Sequence, residues 1–344
     1  MLFRSSIMLI CNFKKKLKRI FRDHQINNGS FMVNQTGPVL TNRVASAAGL
    51  PAWFKQRLPD VRRLHSMRSL IHGNCLHTVC ESARCPNMGE CWGQGVATLM
   101  ILGEVCTRGC RFCAVSSGHP QGVVDEAEPM RVADAVEQMG LRYAVITSVT
   151  RDDLSDQGAS QFARTVKVLR QRVPDLKIEL LIPDFAGRED CLQMVIDAGA
   201  DVLGHNMEMP ASFYARIRPQ ADYQRSLKVL RFIKEKDAQV LTKSGFMLGF
   251  GESDSEVFEL MRDVRETGCD LLTIGQYLAP SKSERHVPVR EFVPPFRFEE
   301  YRRQALRLGF KHVFSAPLVR SSFIAEHAYR SVVDGPEATG EYDG

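Results

Sequence analysis

What the chain lacks narrows its class first. No stretch of its 344 residues is apolar over the roughly 20 positions that a bilayer-spanning helix needs, so no transmembrane helix is expected. Neither sign of charge dominates: 45 Lys and Arg against 40 Asp and Glu leave a net charge of +5, with both signs interspersed. That balance does not indicate a nucleic-acid binder, although it favours an acidic protein partner by electrostatic steering. Ten cysteines in so long a chain do not make a secreted disulfide scaffold. Acids are nearly missing from the first thirty residues, Asp23 being the exception. There the mostly apolar Met1–Phe13 precedes the basic run Lys14–Arg19, which leaves three readings: a transit peptide, a true start at Met32, or a basic disordered tail.

The hydrophobic and charged fractions, 44% and 25%, are those of an ordinary globular protein. The cysteines are not ordinary. Seven of the ten lie between Cys75 and Cys113, and six of these form two triplets. Cys80, Cys85 and Cys91 are spaced C-x4-C-x5-C; Cys106, Cys110 and Cys113 are spaced C-x3-C-x2-C. Three thiolates in a tight loop suit a cubane iron–sulfur cluster whose fourth iron stays open to a small molecule. A structural zinc site is the alternative, but zinc prefers paired C-x2-C units and no second pair follows. The second triplet, Cys106-Thr-Arg-Gly-Cys110-Arg-Phe-Cys113, resembles the signature of the radical S-adenosylmethionine (SAM) enzymes, in which the open iron chelates SAM. Cys75 reads as a spare thiol, and Cys11, Cys191 and Cys269 as incidental or buried residues.

Around the triplets the chain alternates strand and helix. Short helical pieces are expected at Pro51–Lys55 and Val61–Ile71, and a cluster-wrapping loop from Cys80 to Trp92, where Pro86 and Gly89 interrupt any helix. Strands are expected at Ala97–Gly103, Tyr143–Val149, Lys177–Ile182, Asp201–His205, Val240–Leu248 and Asp270–Ile274. Helices fit at Val132–Met139, Ala159–Arg172, Arg188–Ala198, Tyr223–Glu235, Ser255–Thr267 and Glu299–Leu308. Repeated β-α units give an α/β fold, a partial (β/α)6 TIM-like barrel with amino- and carboxyl-terminal extensions. The expected organisation is a leader over residues 1–40, an extension carrying the first triplet over 41–95, the barrel over 96–317, and a carboxyl-terminal segment over 318–344.

A site in such a barrel lies at the carboxyl ends of the strands. Candidate cofactor contacts are therefore Thr147, Ser148, Glu179, Asn206, Lys243, Gly249, Gly251 and Gln276. Asp152 and Asp153 either belong to the site or cap the next helix; His205 is a site residue or a hydrogen-bonded structural histidine. Gly249-Phe-Gly251-Glu252 lacks the third glycine of a dinucleotide loop and reads better as a turn that lets the backbone approach adenine or ribose.

With both triplets in view, the chain from about Pro59 to Phe323 closely resembles the lipoyl synthase family. The resemblance rests on Cys80-Glu-Ser-Ala-Arg-Cys85-Pro-Asn, the second triplet, Val145-Ile-Thr-Ser-Val-Thr-Arg-Asp-Asp-Leu154, His205-Asn206, Thr242-Lys-Ser-Gly245, Gly275-Gln-Tyr-Leu278 and Val319-Arg-Ser-Ser322. It implies two 4Fe-4S clusters and SAM as cofactors. At Cys106, Cys110 and Cys113, SAM would be cleaved to a 5′-deoxyadenosyl radical that takes hydrogen from a protein-bound octanoyl-lysine. The auxiliary cluster at Cys80, Cys85 and Cys91 would supply sulfur at C6 and C8. The family's fourth ligand to that cluster is a serine of an Arg-Ser-Ser-Tyr motif, which matches Ser322. Phe323 departs from the motif by losing a hydroxyl, and Cys75 falls where the family does not usually place cysteine.

The resemblance also implies partners: octanoylated lipoyl-carrier domains (2-oxoacid dehydrogenase E2 subunits and the glycine cleavage H protein) and an electron donor such as flavodoxin or ferredoxin. Neither nucleic acid nor membrane is expected. The setting is cytoplasmic, or the mitochondrial matrix or a plastid if the leader is a transit peptide. The alternatives are another sulfur-inserting radical SAM enzyme and a structural zinc-binding module.

Overall fold

Apolar, β-branched segments of three to eight residues build the centre of the molecule. The computed structural model describes residues 49–55 and 60–335, all within one compact unit, Val44–Gly344. The expected leader over 1–40 lies outside the described residues.

Seven strands run parallel in sequence order: β1 (Thr98–Ile101), β2 (Tyr143–Ser148), β3 (Lys177–Leu181), β4 (Val202–Gly204), β5 (Leu241–Leu248), β6 (Leu271–Gln276) and β7 (His312–Ser315). All six expected strands are present. β7 was not expected, nor was the two-residue strand His77–Thr78 that pairs antiparallel with β1. No pairing joins β1 to β7, so the barrel is open along that seam.

Helices cover the outside: α1 (Val61–Gly73), α2 (Glu128–Met139), α3 (Ala159–Arg172), α4 (Glu189–Asp197), α5 (Tyr223–Lys236), α6 (Asp254–Glu266), α7 (Pro295–Leu308) and α8 (Ala325–Val333). Local chemistry sets their ends. Ser253 and Glu256 form a reciprocal capping box at α6, Asp60 and Asp222 cap α1 and α5, and left-handed glycines Gly140 and Gly309 end α2 and α7. One expectation fails: short helices span Val79–Ser82 and Met88–Gly93, the second running through Gly89. Packing of Trp92 in the core outweighs the modest helix cost of a glycine.

α8 closes the amino-terminal end of the barrel. Its Tyr329 meets Tyr143 at 5.7 Å between ring centroids, and with Val332 it packs on Val202, Leu241 and Leu271, the first residues of their strands. The turn just before α8, residues 318–323, enters the barrel above that plug. Two glycines admit it. A Cβ at Gly275 would collide with the Val319 carbonyl, and one at Gly245 would lie 3.3 Å from Ser321 Oγ. No helix among the described residues is long and apolar enough to cross a membrane.

Candidate active site

The carboxyl end of β1 leads straight into the loop of Cys106, Cys110 and Cys113, as the strand-end rule expects. Arg108, inside that loop, anchors it. Its guanidinium donates to both oxygens of Asp152, at 2.9 and 2.8 Å, and pairs with Asp184 at 2.7 Å. Thr107 adds a hydrogen bond to Asp152 at 2.8 Å, and Gly109 N–H donates to Gln220 at 2.8 Å. Asp152 and Asp153 thus serve the site's scaffold and do not cap α3: Asp152 holds Arg108, and Asp153 pairs with Arg151 at 2.8 Å. Burial pushes the Asp184 carboxyl up, but Arg108, with His205 and Arg225, pulls it well below the usual carboxylate range.

Segment 280–287 grips the loop from the other side. Arg111 donates to the Glu284 carbonyl at 3.1 Å, and His286 Nε2 lies 3.1 Å from the Cys113 carbonyl. Arg84, between Cys80 and Cys85, donates to the Pro280 carbonyl at 3.1 Å, so the same segment touches both cysteine loops.

Cys80, Cys85, Cys91 and Ser322 line one cavity, with Asn87, Ala97, Thr98, Arg320 and Phe323. Thr98 Oγ1 donates to Ser322 Oγ at 2.7 Å, and Asn87 ties the first loop to the Leu318 carbonyl at 2.6 Å. Cys75 is exposed and absent from this lining. Among the described residues, no three His, Cys, Asp or Glu groups could hold a single metal ion. Cys80, Cys85, Cys91 and Ser322 share the walls of one cavity, and a cubane takes its ligands from around a space of that kind.

Burial shapes the thiols. It pushes Cys80, Cys85 and Cys110 up and raises Cys91 and Cys113 to about 12, with Arg218 opposing the rise at Cys110. Such thiols are poor free nucleophiles. A bound cation supplies the charge that makes them thiolates. The donor sets therefore fit metal clusters.

The other expected contacts divide. Ser148 keeps a buried hydroxyl with no hydrogen-bond partner, at the open end of β2. Gly249 and Gly251 both need positive φ, +111° and +100°, and a Cβ at Gly249 would lie 2.7 Å from the Glu291 carbonyl. The side chains of Thr147, Glu179, Lys243 and Gln276 hydrogen-bond across the barrel. Thr147 donates to the Leu181 carbonyl at 2.7 Å. Lys243 donates to Glu179 at 2.7 Å, which also accepts from Tyr143 at 2.6 Å, all deep in the interior. Gln276 donates to the Leu248 and Glu291 carbonyls and accepts from Val293 N–H. Such polar partners, facing one another across the barrel, cannot be read from one strand at a time. Asn206 is hydrogen-bonded as well, donating to Ser321 at 2.6 Å and Glu208 at 3.1 Å. His205 donates from Nδ1 to the Ile182 carbonyl, 2.9 Å away, while burial lowers its pKa to about 4. Thr98 and Arg218 carried no sequence signal for these roles, and Arg320 entered only as part of the Val319–Ser322 resemblance. Arg218 sits beside Cys110 and donates to the Met207 carbonyl at 3.2 Å.

The open parallel barrel with its strand-end cysteine loop defines a radical SAM enzyme, and the family model of the Radical SAM superfamily matches residues 100–264. HydG, a maturase of the FeFe hydrogenase, shares the fold at a TM-score of 0.51 and 14% identity, over 68% of this chain and 54% of its own. The lipoyl synthase of Rubrobacter xylanophilus is 53% identical over 286 residues, 83% of this chain and 87% of that one. That of Caldanaerobacter subterraneus subsp. tengcongensis is 51% identical over 276 residues, 80% of this chain and 95% of that one. The chain belongs to the lipoyl synthase family.

Proposed function

We propose that Cys106, Cys110 and Cys113 hold the cluster that binds SAM, and that Cys80, Cys85, Cys91 and Ser322 hold a second, sulfur-donating cluster. The overall activity is lipoyl synthase: a radical SAM sulfurtransferase that inserts two sulfur atoms, at C6 and C8, into a protein-bound octanoyl-lysine. One observation carries the second assignment: Ser322, distant in sequence, shares a cavity with all three cysteines of the first triplet. When bound, the first cluster with SAM supplies the radical and the second supplies sulfide.

The chain's own work is placement. Arg108, Asp152 and Asp184 fix one loop; Asn87 and Thr98 set the first triplet against the 318–323 turn. Ser148, Gly249 and Gly251 are the remaining candidates for SAM contact, and Glu208 and Arg218 join them beside Cys110. A hydroxyl competes poorly with thiolate for iron, which suits an iron that must later let go.

The substrate is a lipoyl-carrier protein; E2 subunits and the H protein are the carriers proposed, with flavodoxin or ferredoxin as reductant. The setting proposed is the cytoplasm, or an organelle if the basic leader is a transit peptide. The test incubates anaerobically reconstituted protein with octanoylated carrier peptide, SAM and dithionite, then weighs the peptide. Cys110→Ala is expected to abolish SAM cleavage, whereas Cys85→Ala and Ser322→Ala keep cleavage and make no lipoyl product. Lipoyl product from Cys85→Ala would overturn the sulfur-donor assignment.

A further inference from the structure

One side chain in the cavity of Cys80, Cys85, Cys91 and Ser322 has no part in the roles assigned so far. Arg320 lines that cavity beside Cys85. Its Nη1 donates to two carbonyls of its own turn, Val319 at 2.7 Å and Pro317 at 3.5 Å. Among the described residues it forms no ion pair with a carboxylate, and its Nε and Nη2 make no hydrogen bond to the protein. The fully buried guanidiniums are treated differently, Arg108 being held by Asp152 and Asp184 and Arg151 by Asp153; Arg218, beside Cys110, shares the half-buried state of Arg320 and likewise forms no ion pair with a carboxylate among the described residues. A guanidinium carries five donors and stays charged. Held in a cavity without a counter-charge, it costs free energy that an anionic occupant offsets. A four-iron cluster on three thiolates and a serine oxygen carries net negative charge, so the cavity's own chemistry supplies that anion.

We propose that Arg320 is the resident counter-charge of the cluster held by Cys80, Cys85, Cys91 and Ser322, a positioning residue that disfavours the empty cavity and favours the filled one. The inference rests on the cluster assignment above. Three consequences follow from the sign of the charge. Neutralising Arg320 stabilises the protein without its cluster, because an unpaired cation is gone. It destabilises the loaded form, because the cluster loses its partner. It also lowers the cluster's reduction potential, since nearby positive charge favours the added electron.

The experiment compares wild type, Arg320→Met and Arg320→Lys, each as full-length apoprotein and as reconstituted protein. For Arg320→Met, the apoprotein melting temperature should rise and that of the loaded protein fall. Its auxiliary iron should be lost to a chelator about tenfold faster, equivalent to roughly 1.4 kcal/mol. The auxiliary midpoint potential should move in the negative direction, while Arg320→Lys, which keeps the charge, stays near wild type in all three. Equal destabilisation of apo and loaded Arg320→Met would overturn the proposal and leave Arg320 as a brace of its turn. So would an unmoved potential. The cluster assignment is checked separately: if Cys85→Ala retains the iron and acid-labile sulfide content of wild type, that assignment is what fails.

Discussion

Ser322 enters its cavity already accepting a hydrogen bond from Thr98 at 2.7 Å. A donor to an oxygen that must bind metal as an anion is stabilising, because charge-assisted bonds are roughly twice as strong as neutral ones. Thr98→Val, nearly isosteric, should therefore weaken the hold on auxiliary iron and leave SAM cleavage intact; iron analysis after chelator challenge, beside a deoxyadenosine assay, checks both. The buried Lys243–Glu179 pair tests a different point. Removing one partner strands the other's charge, so Lys243→Met should cost about 3 to 5 kcal/mol in denaturant unfolding. Its apparent affinity for SAM should not change, since the pair lies toward the amino-terminal end of the barrel, where Glu179 meets Tyr143 above α8. At this scale the grouping of Cys80, Cys85 and Cys91 around one cavity was legible, because thiol spacing is itself chemistry. The polar strand residues were not: whether Lys243 meets a ligand or Glu179 depends on a neighbouring strand, and no local pattern records it.

The elements were legible wherever apolar periodicity ran for five or more residues, as in β2, β5 and α6. β7 escaped notice because it is four residues long and mostly half-buried, and the helix at Met88–Gly93 because its turn residues argued the other way. The turn at 318–323 was legible only through its family resemblance, not through any local structural pattern. Its room inside the barrel comes from Gly275 on β6, which lies against the Val319 carbonyl. Gly275→Ala makes this measurable: its Cβ collides with the Val319 backbone, so the turn must shift. Overpacking of this kind typically costs about 1 to 3 kcal/mol. The auxiliary cluster should fail to assemble while the cluster at Cys106, Cys110 and Cys113 forms normally, as iron content near half of wild type would report.

For the molecule as a whole, acid is the weak flank. Burial lowers His205 and His312 to about 4, against about 6.5 in an unfolded chain. The unfolded state therefore takes up protons first as pH falls, and stability present above about 6.5 is lost progressively toward 4. For the fully buried His205 the loss is of the order of 3 kcal/mol; partly exposed His312 adds less. Unfolding midpoints measured across that window should fall with pH, and His205→Gln should flatten the decline. The order of the chain carries a last consequence. The loop of Cys106, Cys110 and Cys113 emerges with the first barrel strand, but its braces Asp152, Asp184 and His286 come later, and Ser322 follows the seventh strand. Until the whole barrel has been translated, the cavity of Cys80, Cys85 and Cys91 lacks the wall that Ser322 supplies, so that cavity closes only when the chain is nearly finished.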